Sequence, residues 1–408
     1  MNNKNPIYYF LAVFYLFLYI GFSSCNNKME IDVDKELAYC EQQAIRTLHD
    51  IPTLKDIPNS INKDNINWNF TRSGSWTSGF WPGILWYLYE NTQDENWKNA
   101  AIESTELILP LTMEKAKSHD SGFITMCSLG NGYRITGNEI YKEALLCAAN
   151  HLAELYNPIV GTILSWPGMV TRENWPHNTI VDNMMNLELL FWAARNGGDI
   201  SLYDIAVEHA ETTMRNGFRS DNTNYHVVVY DTISGDFIKG VTHQGYSDDS
   251  MWARGQAWAI YGFTMTFRET RDKKFLDFAQ NAADAYLTRL PYDLIPYWDF
   301  KAYEITHNEP KDASAAAIAA SALLELSTFL SDRNKAKEYA NKAQQMLSEL
   351  STTNYQSRDK NSAFLLHCVG HMPRRSEIDA SIIYADYYYL EALIRLKNLN
   401  HYGNISSK

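Results

Sequence analysis

Two kinds of apolar segment alternate along the chain. In Lys35–Leu48, Trp97–Leu109, Glu139–Tyr156, Leu202–Met214, Lys274–Leu287 and Arg333–Leu350 the apolar residues fall three and four apart with charges between them. That spacing belongs to a helix buried along one side. Between these segments recur Trp76–Glu90, Asp120–Thr136, Asp182–Arg195, Asp249–Arg268, Asp312–Leu330 and Asp379–Leu396, rich in small and aromatic residues. Within them Ala315–Leu324 and Ile382–Leu393 are apolar over most of their circumference, as expected of helices enclosed by others. The recurrence, at roughly sixty-residue intervals, is the mark of a repeated structural unit. Six outer and six inner helices in alternation predict an all-α fold, an (α/α)6 barrel of six helical hairpins. Extended alternation is scarce, and Tyr225–Tyr230 is the best strand candidate. No Pro, Gly or Ser tract is long enough to be a linker, so residues 30–400 read as a single domain.

The first residues do not belong to this pattern. Lys4 precedes an almost wholly apolar run from Ile7 to Phe22 that ends at Ser23-Ser24-Cys25. A basic start, an apolar stretch and a small-residue cleavage site make residues 1–25 a signal peptide. The run is shorter than the roughly 20 apolar residues of a membrane span. Cys25 after two serines is similar to a bacterial lipobox and is the expected lipidation site. The protein is therefore expected to be exported, periplasmic or anchored to the outer membrane by its lipid.

Charge and cysteine content narrow the partners. The formal net charge is −12, and no basic patch suited to phosphate contacts stands out, which argues against nucleic acid. An anionic ligand would be repelled at long range, so its site must rest on local cations. Cys40, Cys127, Cys147 and Cys368 are scattered; neither a disulfide framework, a metal site nor a cofactor is expected.

Five of the six inner segments begin at or just after an aspartate: Asp120, Asp182, the Asp248-Asp249 pair, Asp312 and Asp379. Asp is among the best helix caps, and any one of these could simply satisfy first-turn amides. Parallel inner helices nevertheless bring all these starts to one rim, and converging carboxylates are what glycoside chemistry requires. Trp68, Trp76, Phe80, Trp81, Trp166, Trp175, Trp252, Trp258, Tyr297 and Trp298 lie near these starts and suit stacking on sugar rings, whereas Trp86 and Trp192, deep in apolar runs, read as core. The densest polar cluster runs from Thr242 to Trp258. Within it Arg254 can bind a carboxylate bidentately, supplying the local cation; the alternative is an internal pair with Asp248 or Asp249.

Six motifs together resemble the unsaturated glucuronyl hydrolases, glycoside hydrolase family 88: Trp76-Thr-Ser-Gly-Phe-Trp-Pro-Gly83, His119-Asp-Ser-Gly-Phe123, Ile180-Val-Asp-Asn183, His243 to Trp258, Asp312-Ala-Ser-Ala-Ala-Ala317 and Tyr384-Ala-Asp-Tyr-Tyr-Tyr-Leu-Glu-Ala392. The resemblance covers nearly the whole chain after Cys25. It implies an (α/α)6 barrel and a metal-free hydrolase that removes 4,5-unsaturated uronic acid from the non-reducing end of lyase-generated oligosaccharides. It also implies Asp182 as general acid/base and Asp120 as its partner carboxylate. Trp76, Phe80 and Trp258 would form the sugar platform, with Trp166 a further candidate. His226, His243, Gln244 and Arg254 would give polar contacts to the uronate. The loop Phe364–Glu377 departs from the placed motifs, and the resemblance implies that this region serves outer-sugar selection. Competing readings are an unsaturated rhamnogalacturonyl hydrolase acting on pectin fragments and a non-catalytic glycan-binding surface lipoprotein.

Overall fold

The computed structural model describes residues 31–406; the signal-peptide and Cys25 expectations lie outside the described residues. The six inner helices are Phe80–Thr92, a broken helix over Ser121–Thr136, Asn183–Arg195, Ala253–Thr270, Ala313–Phe329 and Ile383–Ser406. Each packs against the next, and the last returns to the first, so the ring closes. The outer helices are Val33–Asp50, Glu95–Glu106, Glu139–Ala153, Ser201–Asn216, Lys273–Leu287 and Arg333–Leu350. Five of them follow their inner partner in sequence, while Val33–Asp50 packs on Ile383–Ser406, so the first helix completes the last hairpin. The (α/α)6 expectation is borne out.

Local sequence explains the outer helices well. Asp32, Asp94, Asn138, Asp272 and Asp332 each accept a hydrogen bond from a first-turn backbone N–H, the usual cap. The inner helix Ala313–Phe329 is enclosed along nearly its full length, and its alanine run lets neighbouring helices approach closely. The second inner helix departs from expectation: it is α-helical over Ser121–Thr125, a π turn over Met126–Gly130, then α-helical again over Asn131–Thr136. Asn131 Nδ2 donates to the Cys127 carbonyl within the turn, at 3.0 Å. Such single-turn π bulges concentrate at functional sites.

Strands are more numerous than the sequence pattern predicts. A four-stranded antiparallel sheet runs Asn69–Thr71, Ile57–Ile61, Ser376–Ile382, Cys368–His371. His177–Ile180, Val227–Tyr230 and Phe237–Val241 make a second. These strands are short and lie in the connections before inner helices, where no long alternation can develop. Asp379 is consequently a strand residue, with the sixth inner helix starting only at Ile383. It pairs with Lys63 and His367. Asp248 and Asp249 also fail as helix starts: the fourth inner helix begins at Ala253 with Trp252 at its cap position, and Asp249 pairs with Lys301. Cys40, Cys127, Cys147 and Cys368 are free thiols.

Candidate active site

A cleft of about 370 Å³ opens at the N-terminal ends of the inner helices, lined by Trp76, His119, Asp120, Trp166, Asp182, His243, Gln244, Arg254 and His371, with Lys117, Arg172 and Arg374 also on its wall. Parallel inner helices place these residues together although they span nearly three hundred positions.

Asp120 and Asp182 occupy cap positions, yet neither side chain makes a capping bond. Asp312 does cap, accepting from Ser314 N at 3.1 Å, and its other oxygen holds Arg254 at 3.0 Å. The capping explanation thus fits one of the three aspartates that begin inner helices. The other two are free to face the cleft. Burial pushes the Asp182 carboxyl up to about 7, against the opposing pull of Arg254 and with the help of nearby Asp120. At about 1.4 kcal/mol per tenfold change in acidity, this disfavours the carboxylate by roughly 4 kcal/mol. Desolvation outweighs the cation. Asp182 Oδ1 has no hydrogen-bond partner, and the side chain keeps 14% exposure toward the cleft. Asp120 Oδ2 accepts from Ser118 Oγ at 2.7 Å.

Each of these carboxylates has a buried histidine beside it. His119 Nε2 lies 3.4 Å from Asp120 Oδ1, and His226 Nε2 lies 4.0 Å from Asp182 Oδ1. His226 Nδ1 accepts the backbone N–H groups of both His243 and Gln244, at 3.1 and 3.0 Å. A nitrogen that accepts cannot carry the proton, so neutral His226 has its hydrogen on Nε2, facing Asp182. Burial, and then the charges of His243 and Arg254, hold His226 well below the usual imidazole range. His226 itself is not on the cleft wall. Its contact is to Asp182 and to the loop that carries His243 and Gln244.

Trp166 is held by a two-way amide bracket with Asn178, at 3.0 and 3.1 Å. Its ring packs against His119, His226 and His243. Trp76 lies over Phe80, Phe123 and Tyr384. These two tryptophans face the cleft. Phe80 and Trp258 do not: both are fully buried, with Phe80 behind Trp76 and Trp258 packed on Phe123 and Tyr388. They pack behind the residues that line the cleft and do not line it themselves. Trp68, Trp81, Trp175, Trp252 and Trp298 are likewise buried, because the loops around the helix starts are themselves packed over the barrel.

Arg254 lies beside Asp182 but is only 1% exposed. Besides Asp312 it donates to the carbonyls of Val369 and Gly370, and its guanidinium rests on the rings of Trp252 and Tyr384. The internal pair weighed from sequence exists, with Asp312 in place of Asp248 or Asp249. Arg254 fixes the hairpin formed by Cys368–His371 and Ser376–Ile382 against the cleft. Gln244 Nε2 donates to the same Gly370 carbonyl, at 3.0 Å. The hairpin brings in two residues that pattern reading missed, His371 and Arg374. Lys117 and Arg172 were missed as well. All three added cations are exposed loop or helix-end residues without distinctive spacing; only the demand for local cations in an acidic protein pointed to such groups.

The family model of Glycosyl Hydrolase Family 88 matches residues 42–399. The chain is 41% identical to an unsaturated glucuronyl hydrolase of Formosa agariphila, over 92% of this chain and 93% of the relative. It is 35% identical to an unsaturated chondroitin disaccharide hydrolase of Streptococcus pneumoniae, over 85% of this chain and 88% of the relative. Among solved structures, an unsaturated glucuronyl hydrolase specific for heparin superposes with a TM-score of 0.84 at 39% identity, covering 90% of this chain and 98% of that one. A mutant of the Streptococcus agalactiae enzyme complexed with dGlcA-GalNAc6S gives 0.77 at 31% identity, covering 90% and 91%. With its match over residues 42–399, its closed helical barrel and its cleft at one end, the chain belongs to glycosyl hydrolase family 88.

Proposed function

We propose that Asp182 is the proton donor of an unsaturated glucuronyl hydrolase whose substrates are oligosaccharides ending in a 4,5-unsaturated uronic acid. The observation that carries this reading is an aspartate at a helix start that caps nothing, held protonated near neutral pH by burial. The C4=C5 bond of such a sugar is conjugated to the ring oxygen, so it behaves as a vinyl ether. Protonation at C4 by Asp182 builds oxocarbenium character at C5, which water attacks. The Asp182 carboxylate so formed accepts the water's proton. The resulting hemiketal at C5 opens and expels the remainder of the chain. The acid acts on the double bond, so carboxylate separation carries no retaining-or-inverting meaning here.

Trp76 and Trp166 supply the sugar-facing walls, and the neighbouring Asp120 pushes the Asp182 carboxyl up, favouring its protonated form. The uronate carboxylate meets Gln244, His243 and the cationic side of the cleft. Relatives named for chondroitin and heparin products support glycosaminoglycan-derived substrates over pectin fragments. Incubation with a panel of lyase-generated disaccharides, followed by loss of the ultraviolet absorbance of the double bond, tests the activity. Turnover of pectin-derived disaccharides alone would favour the rhamnogalacturonyl reading, and binding without loss of absorbance would favour a glycan-binding protein.

The basic start, apolar run and Ser23-Ser24-Cys25 support export with lipidation at Cys25. Detergent partitioning of the native protein, abolished by Cys25→Ala, is the expected result. A soluble protein in both cases would leave simple secretion.

A further inference from the structure

His119 and His226 stand in the same relation to their aspartates, but their orientation is secured differently. Two backbone N–H groups settle the proton position of His226. At His119 the task falls to one side chain. Asn186, one helical turn after Asp182, meets three groups: its Oδ1 accepts from Phe123 N at 2.8 Å, and its Nδ2 faces His119 Nδ1 at 2.9 Å and the Asp182 carbonyl at 3.5 Å. A backbone N–H can only donate, so the atom opposite Phe123 N must be the amide oxygen. The atom facing His119 is therefore the NH₂ group, and His119 Nδ1 must accept. Asn186 and His119 are both fully buried. The contact is tight: a Cβ on Gly122 would lie 2.4 Å from the Asn186 Cα, which explains the glycine of the His-Asp-Ser-Gly-Phe motif.

We propose that Asn186 is a positioning residue for the reaction: its amide, oriented by the Phe123 backbone, locks His119 in the Nε2–H form so that a donor, not a lone pair, faces Asp120. The inference rests on the roles given above to Asp182 and Asp120. With the opposite tautomer, Nε2 would turn a lone pair on the Asp120 carboxylate 3.4 Å away, and the repulsion would displace the neighbour whose charge favours protonated Asp182. One amide thus touches the Asp182 carbonyl and orients the ring whose Nε2 lies 3.4 Å from Asp120.

Asn186→Asp tests this. The carboxylate still accepts from Phe123 N but offers His119 an acceptor, which demands a proton on Nδ1. In ¹⁵N spectra of histidine-labelled protein, with His119 assigned by its loss in His119→Gln, the wild type should show neutral imidazole protonated on Nε2, and Asn186→Asp should move the proton to Nδ1. Disaccharide turnover should lose at least about tenfold in kcat, with KM changed less than about threefold, as expected when a buried imidazole carries the wrong tautomer. In the His119→Phe background no ring nitrogen remains for position 186 to orient. There the further loss on Asn186→Asp should shrink to less than about threefold. An equal penalty in both backgrounds would reduce Asn186 to a packing clamp and overturn the proposal. So would a wild-type His119 protonated on Nδ1. Should Asn186→Asp not fold, Asn186→Leu removes the donor at similar volume; a His119 still wholly in the Nε2–H form in that variant would also overturn it. Absence of any turnover by the wild type would sink the preceding reading, while the nitrogen spectra would still judge this one.

Discussion

At the C-terminal ends of the inner helices lies a second cavity, about 580 Å³, lined by Glu90, Glu188, Glu269, Glu391, Arg134, Arg268 and Arg395 among others. It is larger than the cleft at the opposite helix ends, and it is richer in charge. Its carboxylates, however, are all engaged. Arg268 pairs with Glu188, Glu269 and Glu325; Arg395 pairs with Glu325 and Glu391; Arg134 grips Glu90. Glu391 also accepts from Tyr87, Tyr261 and Ser321. Burial pushes the Glu325 carboxyl up, but Arg268 and Arg395 pull it below its ordinary value. At the other end, Asp182 keeps an oxygen without a partner and is pushed up to about 7. Cavity size therefore does not identify the reactive end. The proposed acid stands out instead by its charge, because an enclosed carboxyl oxygen with neither a hydrogen bond nor an arginine ion pair is costly to keep unless it works.

The largest effect expected from this contrast is on rate. Asp182→Asn keeps the shape of the helix start, so the protein should fold, while kcat falls by at least about 10²–10⁴ with little change in KM. Retention of more than about a tenth of wild-type kcat by the folded variant would demote Asp182 and erase the distinction between the two ends. In the wild type the acid must be protonated, so activity should fall as pH rises through about 7. Asp120→Asn should slow the reaction and move that limb downward, since a raising influence on Asp182 is removed.

Next comes stability at the opposite end. Arg268→Met strips three carboxylates of a shared cation. The loss should approach the roughly 3–5 kcal/mol seen when one member of a buried ion cluster is removed, read by denaturant unfolding. Turnover by the folded protein should be unchanged. A variant with wild-type stability but impaired turnover would give the distal cavity a catalytic part and break the comparison.

A smaller effect sharpens it. Asp182 has a raised pKa in the fold, so the folded protein holds a proton that the unfolded chain gives up. Its cost is absent below the ordinary carboxylate range, grows as pH climbs toward about 7 and is constant above. Asp182→Asn should therefore be more stable than the wild type at pH 8 by about 1–4 kcal/mol, with the gain vanishing near pH 4. An equal stability difference at both pH values would contradict the burial cost. The smallest effect belongs to the rim. Arg374 is exposed, and Arg374→Ala should raise KM only about three- to tenfold, with the difference fading at high salt. Salt-independent loss would place its contribution in packing instead.

The barrel was legible in the sequence because one-sided and all-round burial impose different periodicities, and both kinds of helix repeat. Of the small sheets only the Tyr225–Tyr230 candidate was legible, and a strand does run there over Val227–Tyr230; its partners are short, and two-residue strands such as Thr162–Ile163 leave no pattern. Among site residues, Asp120 and Asp182 were legible as helix starts, but sequence could not separate them from Asp312, whose side chain does cap. That difference lies in which atom each carboxylate faces. Trp258 and Phe80 shared motifs with cleft residues and so resembled them; on a helix, position in a motif does not say which side meets solvent. Arg254 carried the right charge, yet its partners Asp312 and the Val369 and Gly370 carbonyls lie 58, 115 and 116 residues away, beyond any local rule.

The closing of the ring by its earliest helix has a consequence for how the molecule comes into being. Gln43 in Val33–Asp50 donates to Ser357 Oγ, 314 residues later, and to the Ala363 carbonyl. Among the described helices this one is synthesised first and its inner partner, Ile383–Ser406, last. The seam can form only once Ile383–Ser406 has been made, and loop-closure entropy must be met before its contacts contribute. An unfinished chain exposes the one-sided apolar face of its first helix throughout elongation, a liability for a protein that folds as it is made. For a chain threaded across a membrane before folding the same topology carries no such penalty, since both edges of the seam arrive together. The first and last described helices meeting in one hairpin also make the barrel a natural candidate for circular permutation, with new termini opened in the short turns between an inner helix and the outer helix that follows it, away from the cleft.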